Sequence, residues 1–62
     1  QAEAKDVTIG ERCWIGMNSI ILPGTILGPH TVVGAGSVVT KSFEEGNGII
    51  AGNPAKIIRN LQ

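Results

Sequence analysis

The hydrophobic positions of the chain recur every six residues, from Ile9 to the Val39 region. The segment divides into the hexads IGERCW, IGMNSI, ILPGTI, LGPHTV, VGAGSV and VTKSFE. The first position is always a branched aliphatic residue, the second is glycine in four of the six hexads, and the fifth is small in five. The first-position residues are Ile9, Ile15, Ile21, Leu27, Val33 and Val39. Such self-similarity predicts a repeat architecture with one short structural unit per hexad.

A hexad fits a short flat strand followed by a tight corner, and three hexads would complete one round of 18 residues. Successive rounds would stack about 4.8 Å apart, the spacing of hydrogen-bonded strands. Residues 18 apart would then be neighbours, such as Ile9 with Leu27 and Ser19 with Ser37. We expect the first and fifth positions to point inward, and the second-position glycines to ease the corners through positive φ. The pattern predicts an all-β protein, a parallel β-helix built as a hexapeptide-repeat solenoid; a small β-sandwich or barrel is the alternative.

The segments outside the regular hexads divide the chain further. We expect a polar lead-in over 1–8, the β-helix over 9–44, a loop over 45–48, and a last strand and C-terminal cap over 49–62. The register slips after Val39, because Phe43 stands where the earlier hexads have a small residue. Asn53 as N-cap and Pro54 at the first helical position predict a short C-terminal helix or tail.

Composition limits the class of protein. The 62 residues include two aromatic side chains and no tyrosine, so any core is aliphatic. Five cations balance five anions, which disfavours nucleic-acid and membrane-surface partners. No apolar run approaches the roughly 18 residues of a membrane span, and we expect a cytoplasmic protein. A core of this size is marginal, so we expect oligomerisation or membership of a longer chain.

Three segments in fixed order carry a resemblance to a known family. They are W-I-G, G-A-G-S-V-V-T-K and A-G-N-P-A-K-I-I-R, and they follow or overlap the hexads. Over about residues 6–61 the chain resembles the C-terminal part of the hexapeptide-repeat acyltransferases, which include sugar and polysaccharide O-acetyltransferases and galactoside and maltose acetyltransferases. The resemblance implies a left-handed winding of the β-helix, a homotrimer, and acetyl-coenzyme A as donor.

The resemblance also implies a set of cofactor-binding residues. Small residues allow close backbone approach to a pantetheine arm, and cations suit phosphate oxygens. On a helix, Lys56 and Arg59 would share one face. The alternatives are an ordinary tight corner at Ala35 and a solvated charged face that pairs with Glu44 and Glu45. The candidate residues are Met17, Ala35, Gly36, Thr40, Lys41, Lys56 and Arg59.

Three further side chains have chemistry to consider. Trp14 occupies an outward sixth position, which indicates a trimer interface or an acceptor wall, or else packing against the lead-in. Cys13 occupies an inward position and is interpreted as an apolar filler, not a nucleophile. His30 is the single histidine and the one candidate catalytic base. Its corner position favours an ordinary exposed side chain, and the resembling enzymes carry their base before the W-I-G segment. We therefore assign no catalytic residue, and whether the chain is an enzyme stays open.

Two functions remain in view. The first is acetyl transfer from acetyl-CoA to a hydroxyl or amine of a sugar or small molecule, with this chain as the CoA-binding C-terminal part. The second is a non-catalytic β-helical module for structure or trimerisation. A β-helical carbonic anhydrase is disfavoured, because one histidine and one cysteine do not make a zinc site of the usual type. We expect no metal.

Overall fold

The computed structural model describes residues 6–61, and these residues form eight strands and no helix. No membrane-spanning helix is present in that range. The strands are β1 (Thr8–Ile9), β2 (Trp14–Ile15), β3 (Ile20–Ile21), β4 (Ile26–Leu27), β5 (Thr31–Val33), β6 (Val38–Val39), β7 (Gly48–Gly52) and β8 (Ala55–Asn60).

Successive strands along the chain belong in turn to the first, second and third of three short sheets, and the order then repeats. The first sheet contains β1 and β4, the second contains β2, β5, β7 and β8, and the third contains β3 and β6. The pairs β1–β4, β2–β5 and β3–β6 are parallel, and every registered residue pair in them is separated by 18 positions, for example Ile9 and Leu27. The predicted 18-residue stacking is therefore confirmed.

The first-position aliphatic residues of the middle hexads form the core. Leu27, Val33 and Val39 come from the three different sheets, and none is more than 1% exposed. Ile50 and Ala55 complete the buried cluster. The corresponding residues of the first round are more exposed, at 45% for Ile9 and 37% for Ile15, because no described strand covers the free edges of β1 and β2.

The fifth-position hydroxyl groups form hydrogen bonds within the corners. Thr25, Thr31 and Ser37 are at most 3% exposed. Each side chain donates a hydrogen bond to the carbonyl three residues earlier: Thr25 to Leu22 at 2.7 Å, Thr31 to Gly28 at 2.8 Å and Ser37 to Gly34 at 2.6 Å. A small residue fits the narrow corner, and its hydroxyl finds a hydrogen-bond acceptor in a backbone carbonyl of the same corner.

The second-position glycines have a different cause from the one expected. Positive φ occurs at the fourth position of the first five hexads, not at the second position. The residues are Arg12 (60°), Asn18 (62°), Gly24 (83°), His30 (59°) and Gly36 (71°). The glycine at position 16 is required instead by close approach, since a Cβ there would lie 2.5 Å from the backbone nitrogen of Ala35. A side chain would force the two rounds apart.

The register changes after β6. Phe43 pairs with Leu27, which is 16 residues earlier, and β7 then pairs with β5 at a separation of 17, as for Val33 and Ile50. Phe43 packs against the core cluster and so takes over the role of a first-position residue. The separation between paired residues therefore falls from 18 to 16 at Phe43. It rises to 17 in β7, because the turn before Gly48 adds one residue.

The predicted C-terminal helix is wrong. β8 runs antiparallel to β7, and the turn between them contains Asn53 and Pro54. A helix of this length would be marginal by itself. As a strand, the segment forms hydrogen bonds with backbone groups along the edge of β7 that would otherwise have no strand partner. The β-branched side chains of Ile57 and Ile58 also favour the strand conformation.

We expect Gly16→Ala to lower the free energy of unfolding by about 1–3 kcal/mol, because the added methyl group overlaps the backbone of the next round. Urea denaturation at fixed protein concentration measures the change. Glu11→Ala, at an exposed turn, is the control and should change stability by less than about 0.5 kcal/mol. Equal stability of the Gly16→Ala variant and the parent chain would contradict the close stacking at this corner.

We expect Ser37→Ala to cost about 1–3 kcal/mol of stability. The Ser37 hydroxyl is buried, donates to Gly34 and accepts from the backbone N–H of Gly52 at 3.2 Å, so its removal breaks both hydrogen bonds. The same denaturation experiment applies, with the exposed Thr8→Val as control. A Ser37→Ala variant as stable as this control would show that the corner hydroxyl is dispensable.

Candidate functional site

The outer face of the second sheet carries a continuous row of large side chains. Trp14 lies opposite Val32, Val32 opposite Ile49, and Ile49 opposite Arg59. Directly paired residues project from the same face of a sheet, so the four form one row across the sheet. Trp14 is 72% exposed, which agrees with its predicted outward position. We call these four residues the Trp14 row.

A second row on the same face consists of small residues and ends in a cation. Gly16 and Gly34 follow the paired residues Ile15 and Val33, and Ala51 follows Ile50. A Cβ built on Gly34 would lie 2.8 Å from the Cβ of Ala51, so these two residues are stacked directly. Ala51 in turn pairs with Lys56. We call this row of small residues, which lies beside the Trp14 row, the groove.

A β-bulge brings the two C-terminal cations to this face. Ile49 pairs with Arg59 and Ile50 with Ile57, so Ile58 is an extra residue in β8. In a regular strand, residues 56 and 59 would point to opposite faces, and the extra residue cancels that alternation. Lys56 and Arg59 therefore share a face, as predicted, although a bulged strand and not a helix is the reason.

Met17, Ala35 and Gly36 come together at one corner. This corner links the second sheet to the third, and the backbone N–H of Gly36 donates to the carbonyl of Met17 at 2.9 Å. Met17 is 78% exposed, and Ala35 and Gly36 are also exposed. Nothing lies within 4 Å of the position that a Cβ on Gly36 would occupy. We call residues 17–18 and 35–36 the Met17 corner; it borders the groove.

Thr40 and Lys41 lie at a different corner. They follow β6, whereas Gly36 precedes it, so the third sheet separates the two corners. Both residues are exposed, and the Nζ of Lys41 lies 5.6 Å from the ring centroid of Phe43, within the range of a cation–π contact. Lys41 also lines a cavity of about 270 Å³ with Phe43, Ile57 and Asn60. The structure thus brings five of the seven candidate cofactor residues to one region and leaves Thr40 and Lys41 across β6.

His30 lies at a third corner, between the first and second sheets. Its Nδ1 is 3.1 Å from Oδ1 of Asn47, and the pair is exposed. β5 separates His30 from Gly34 and the groove. Cys13 is half-buried, and its thiol donates to the carbonyl of Gly28 at 3.2 Å.

Most of the hexad segment matches a known family model. Residues 6–41 fit the bacterial transferase hexapeptide model, described as six repeats. The chain belongs to this family. Its strands, corners and core positions are those of a hexapeptide transferase, which confirms the resemblance drawn from the sequence.

Relatives of this hexapeptide transferase chain are acetyltransferases. It is 56% identical over 57 residues to WbbJ of Escherichia coli (strain K12), named provisionally as a lipopolysaccharide biosynthesis O-acetyl transferase, and the match covers 92% of this chain and 29% of WbbJ. It superposes on a galactoside acetyltransferase in complex with coenzyme A with a TM-score of 0.85 and 43% identity, covering 90% of this chain and 28% of that one.

A third similar protein is a hexapeptide-repeat acetyltransferase from Vibrio cholerae O1 biovar eltor, in complex with acetyl-coenzyme A. The TM-score is 0.89 with 36% identity, and the match covers 94% of this chain and 31% of that one. The hexapeptide transferase chain thus spans less than a third of the length of each of these proteins.

Sequence reasoning did not find the second row of the groove. Gly34 and Ala51 align only because β7 pairs with β5 at a separation of 17, and a strict count of hexads places residue 52 above Gly34. The signal in the sequence was the loss of the hexad pattern around Phe43, which showed that the register changes but not by how much.

Proposed function

We propose that this chain is the coenzyme-A-binding part of an acetyltransferase that transfers acetyl from acetyl-CoA to a hydroxyl or amine of a sugar or small molecule. The observation that carries the proposal is the placement of Lys56 and Arg59 on one face, at the end of the groove. Family membership and the acetyl-CoA and CoA complexes of similar acetyltransferases support it. The cyclic order of the sheets agrees with a parallel β-helix, which we propose to wind left-handed as the resemblance implies.

The groove matches the two chemically different parts of acetyl-CoA, the pantetheine arm and the phosphates. The pantetheine arm is thin and carries amides, so it lies against backbone where side chains are small, along Gly34, Ala35, Gly36 and Ala51. The exposed corner at Gly36 leaves room for this approach. Lys56 and Arg59 face the phosphates, where cations form charge-assisted hydrogen bonds with the oxygens.

Thr40 and Lys41 have a separate part in this proposal. Lys41 is a third cation toward the same end of the molecule, since it lines one cavity together with Ile57 and Asn60 of β8. We assign Thr40 and Lys41 to the outer, nucleotide side of the donor, across β6 from the arm. The Nζ of Lys41 lies over the Phe43 ring, and its long side chain has the reach to extend from there over a short strand.

The chemical step needs a proton acceptor that the groove does not supply. When bound, acetyl-CoA would supply a thioester. The acceptor oxygen or nitrogen bonds to the acetyl carbon, the carbon–sulfur bond breaks, and CoA leaves as a thiolate, while a general base takes the acceptor proton and returns it to that thiolate. His30 faces another corner and is held by Asn47. We therefore place the base outside residues 6–61. This separation is also the observation that favours the second candidate, a β-helical module without catalysis.

We also propose a homotrimer. The Trp14 row exposes a large indole beside Val32 and Ile49, and a core of five small or aliphatic residues is marginal for one chain. Aromatic residues are enriched at subunit interfaces, where they bury a large apolar area.

Lys56→Ala and Arg59→Ala should each weaken acetyl-CoA binding about 2- to 5-fold, the range for exposed charge pairs. The double variant should lose roughly 10-fold if the two contacts are independent. Binding should also weaken as salt is raised, because exposed charges are screened. Isothermal titration calorimetry measures these affinities.

Arg12→Ala is the matched control, since Arg12 is an exposed cation at a different corner and should not change the affinity. A folded chain that binds no acetyl-CoA at millimolar concentration would contradict the proposal and support the non-catalytic module. Equal losses in the Arg12→Ala and Arg59→Ala variants would show a general charge effect instead of a phosphate site.

Sedimentation velocity should show a trimer for the parent chain and a shift toward monomer for Trp14→Glu, because a carboxylate is costly in an apolar interface. Thr8→Glu, on the exposed face of the first sheet, serves as control and should remain trimeric. A folded monomer at all concentrations would overturn the assembly.

A further inference from the structure

The cations fix the direction in which the donor would lie along the groove. This step rests on the proposed function. Lys56 and Arg59 belong to β8, at one edge of the second sheet, and Met17 follows β2, at the other edge. Three strand spacings of about 4.8 Å, roughly 14 Å in all, separate these edges. With the phosphates at β8, the arm runs toward β2 and its acyl end arrives at Met17.

Met17 differs from its counterpart in the next round. The carbonyl of Met17 accepts a hydrogen bond from Gly36, so the backbone position is fixed by the stacking, while the side chain is 78% exposed. Ala35 occupies the equivalent place one round later and has almost no side chain. Met17 is therefore the large apolar side chain of the Met17 corner, and it stands at the end where the acyl group arrives.

From this geometry we infer that Met17 limits the length of the acyl group that the donor site accepts. A flexible thioether side chain packs well against a methyl group and fills the space beyond it. Each further methylene of a longer acyl chain must displace that side chain. Closed apolar sites discriminate about 10- to 200-fold per methylene, and the exposure of Met17 lowers its effect below that range, to roughly 3-fold per methylene.

The test compares the affinities of CoA, acetyl-CoA, propionyl-CoA and butyryl-CoA by calorimetry. The parent chain should prefer acetyl-CoA over butyryl-CoA by about 10-fold. Met17→Ala should reduce this preference to less than about 3-fold. Met17→Leu nearly conserves the volume and should keep the parent preference.

Ala35→Met provides a positional control. The same side chain placed one round nearer the phosphates should obstruct the arm, so it should weaken CoA and all three thioesters alike. Thermal denaturation of each variant checks that it is folded.

The outcomes separate the inference from the function on which it rests. If acetyl-CoA binds and Met17→Ala leaves the ratio of acetyl to butyryl affinity unchanged, the role of Met17 is overturned and the donor site stands. If the folded parent chain binds neither CoA nor any thioester, both the donor site and the role of Met17 are overturned.

Discussion

The pairing of each backbone segment with the segment 18 residues later is the constraint on which the structure depends. It assigns a separate task to most positions of the hexad. The first-position side chains fill the core, and the second position must lack a Cβ where two rounds touch. The fourth position takes positive φ, and the fifth-position hydroxyl donates a hydrogen bond to a backbone carbonyl three residues earlier. The sixth position is left to face outward, and there the chain carries Trp14. A side chain that breaks one of these tasks disturbs two rounds, because each corner is built on its neighbour.

The sequence predicted the parts of the fold that depend on a strict period. The inward residues and the 18-residue neighbours follow from counting hexads. The reason for glycine at the second position could not be predicted in this way. Close approach of two rounds and positive φ both select glycine, and only the backbone angles distinguish these two causes. The fourth position held the missing signal: it contains two glycines and an asparagine, all tolerant of positive φ, although arginine and histidine at the same position obscured it.

The C-terminal segment was harder to predict because its conformation is decided by its neighbour. Asn53 and Pro54 suit a helix start when taken alone, yet the free edge of β7 offers backbone partners that a short helix lacks. The common face of Lys56 and Arg59 was predicted correctly for the wrong reason. Two residues three positions apart lie on one face of a helix. Here a single extra residue in β8 places Lys56 and Arg59 on one face of a strand. The groove at Gly34 and Ala51 depends on a register of 17, which no periodic count could supply.

The reversal of direction at β8 has a consequence for solubility. A stack of parallel strands can in principle grow without limit, since each new edge is a template for the next, and identical molecules could join end to end into fibres. β8 occupies the exposed side of β7 with a strand of opposite direction, broken by a bulge and bearing Lys56 and Arg59 outward. A bulged, cationic border is a poor template for another chain. On the second sheet, the β7–β8 hairpin therefore disfavours the addition of another chain at this edge.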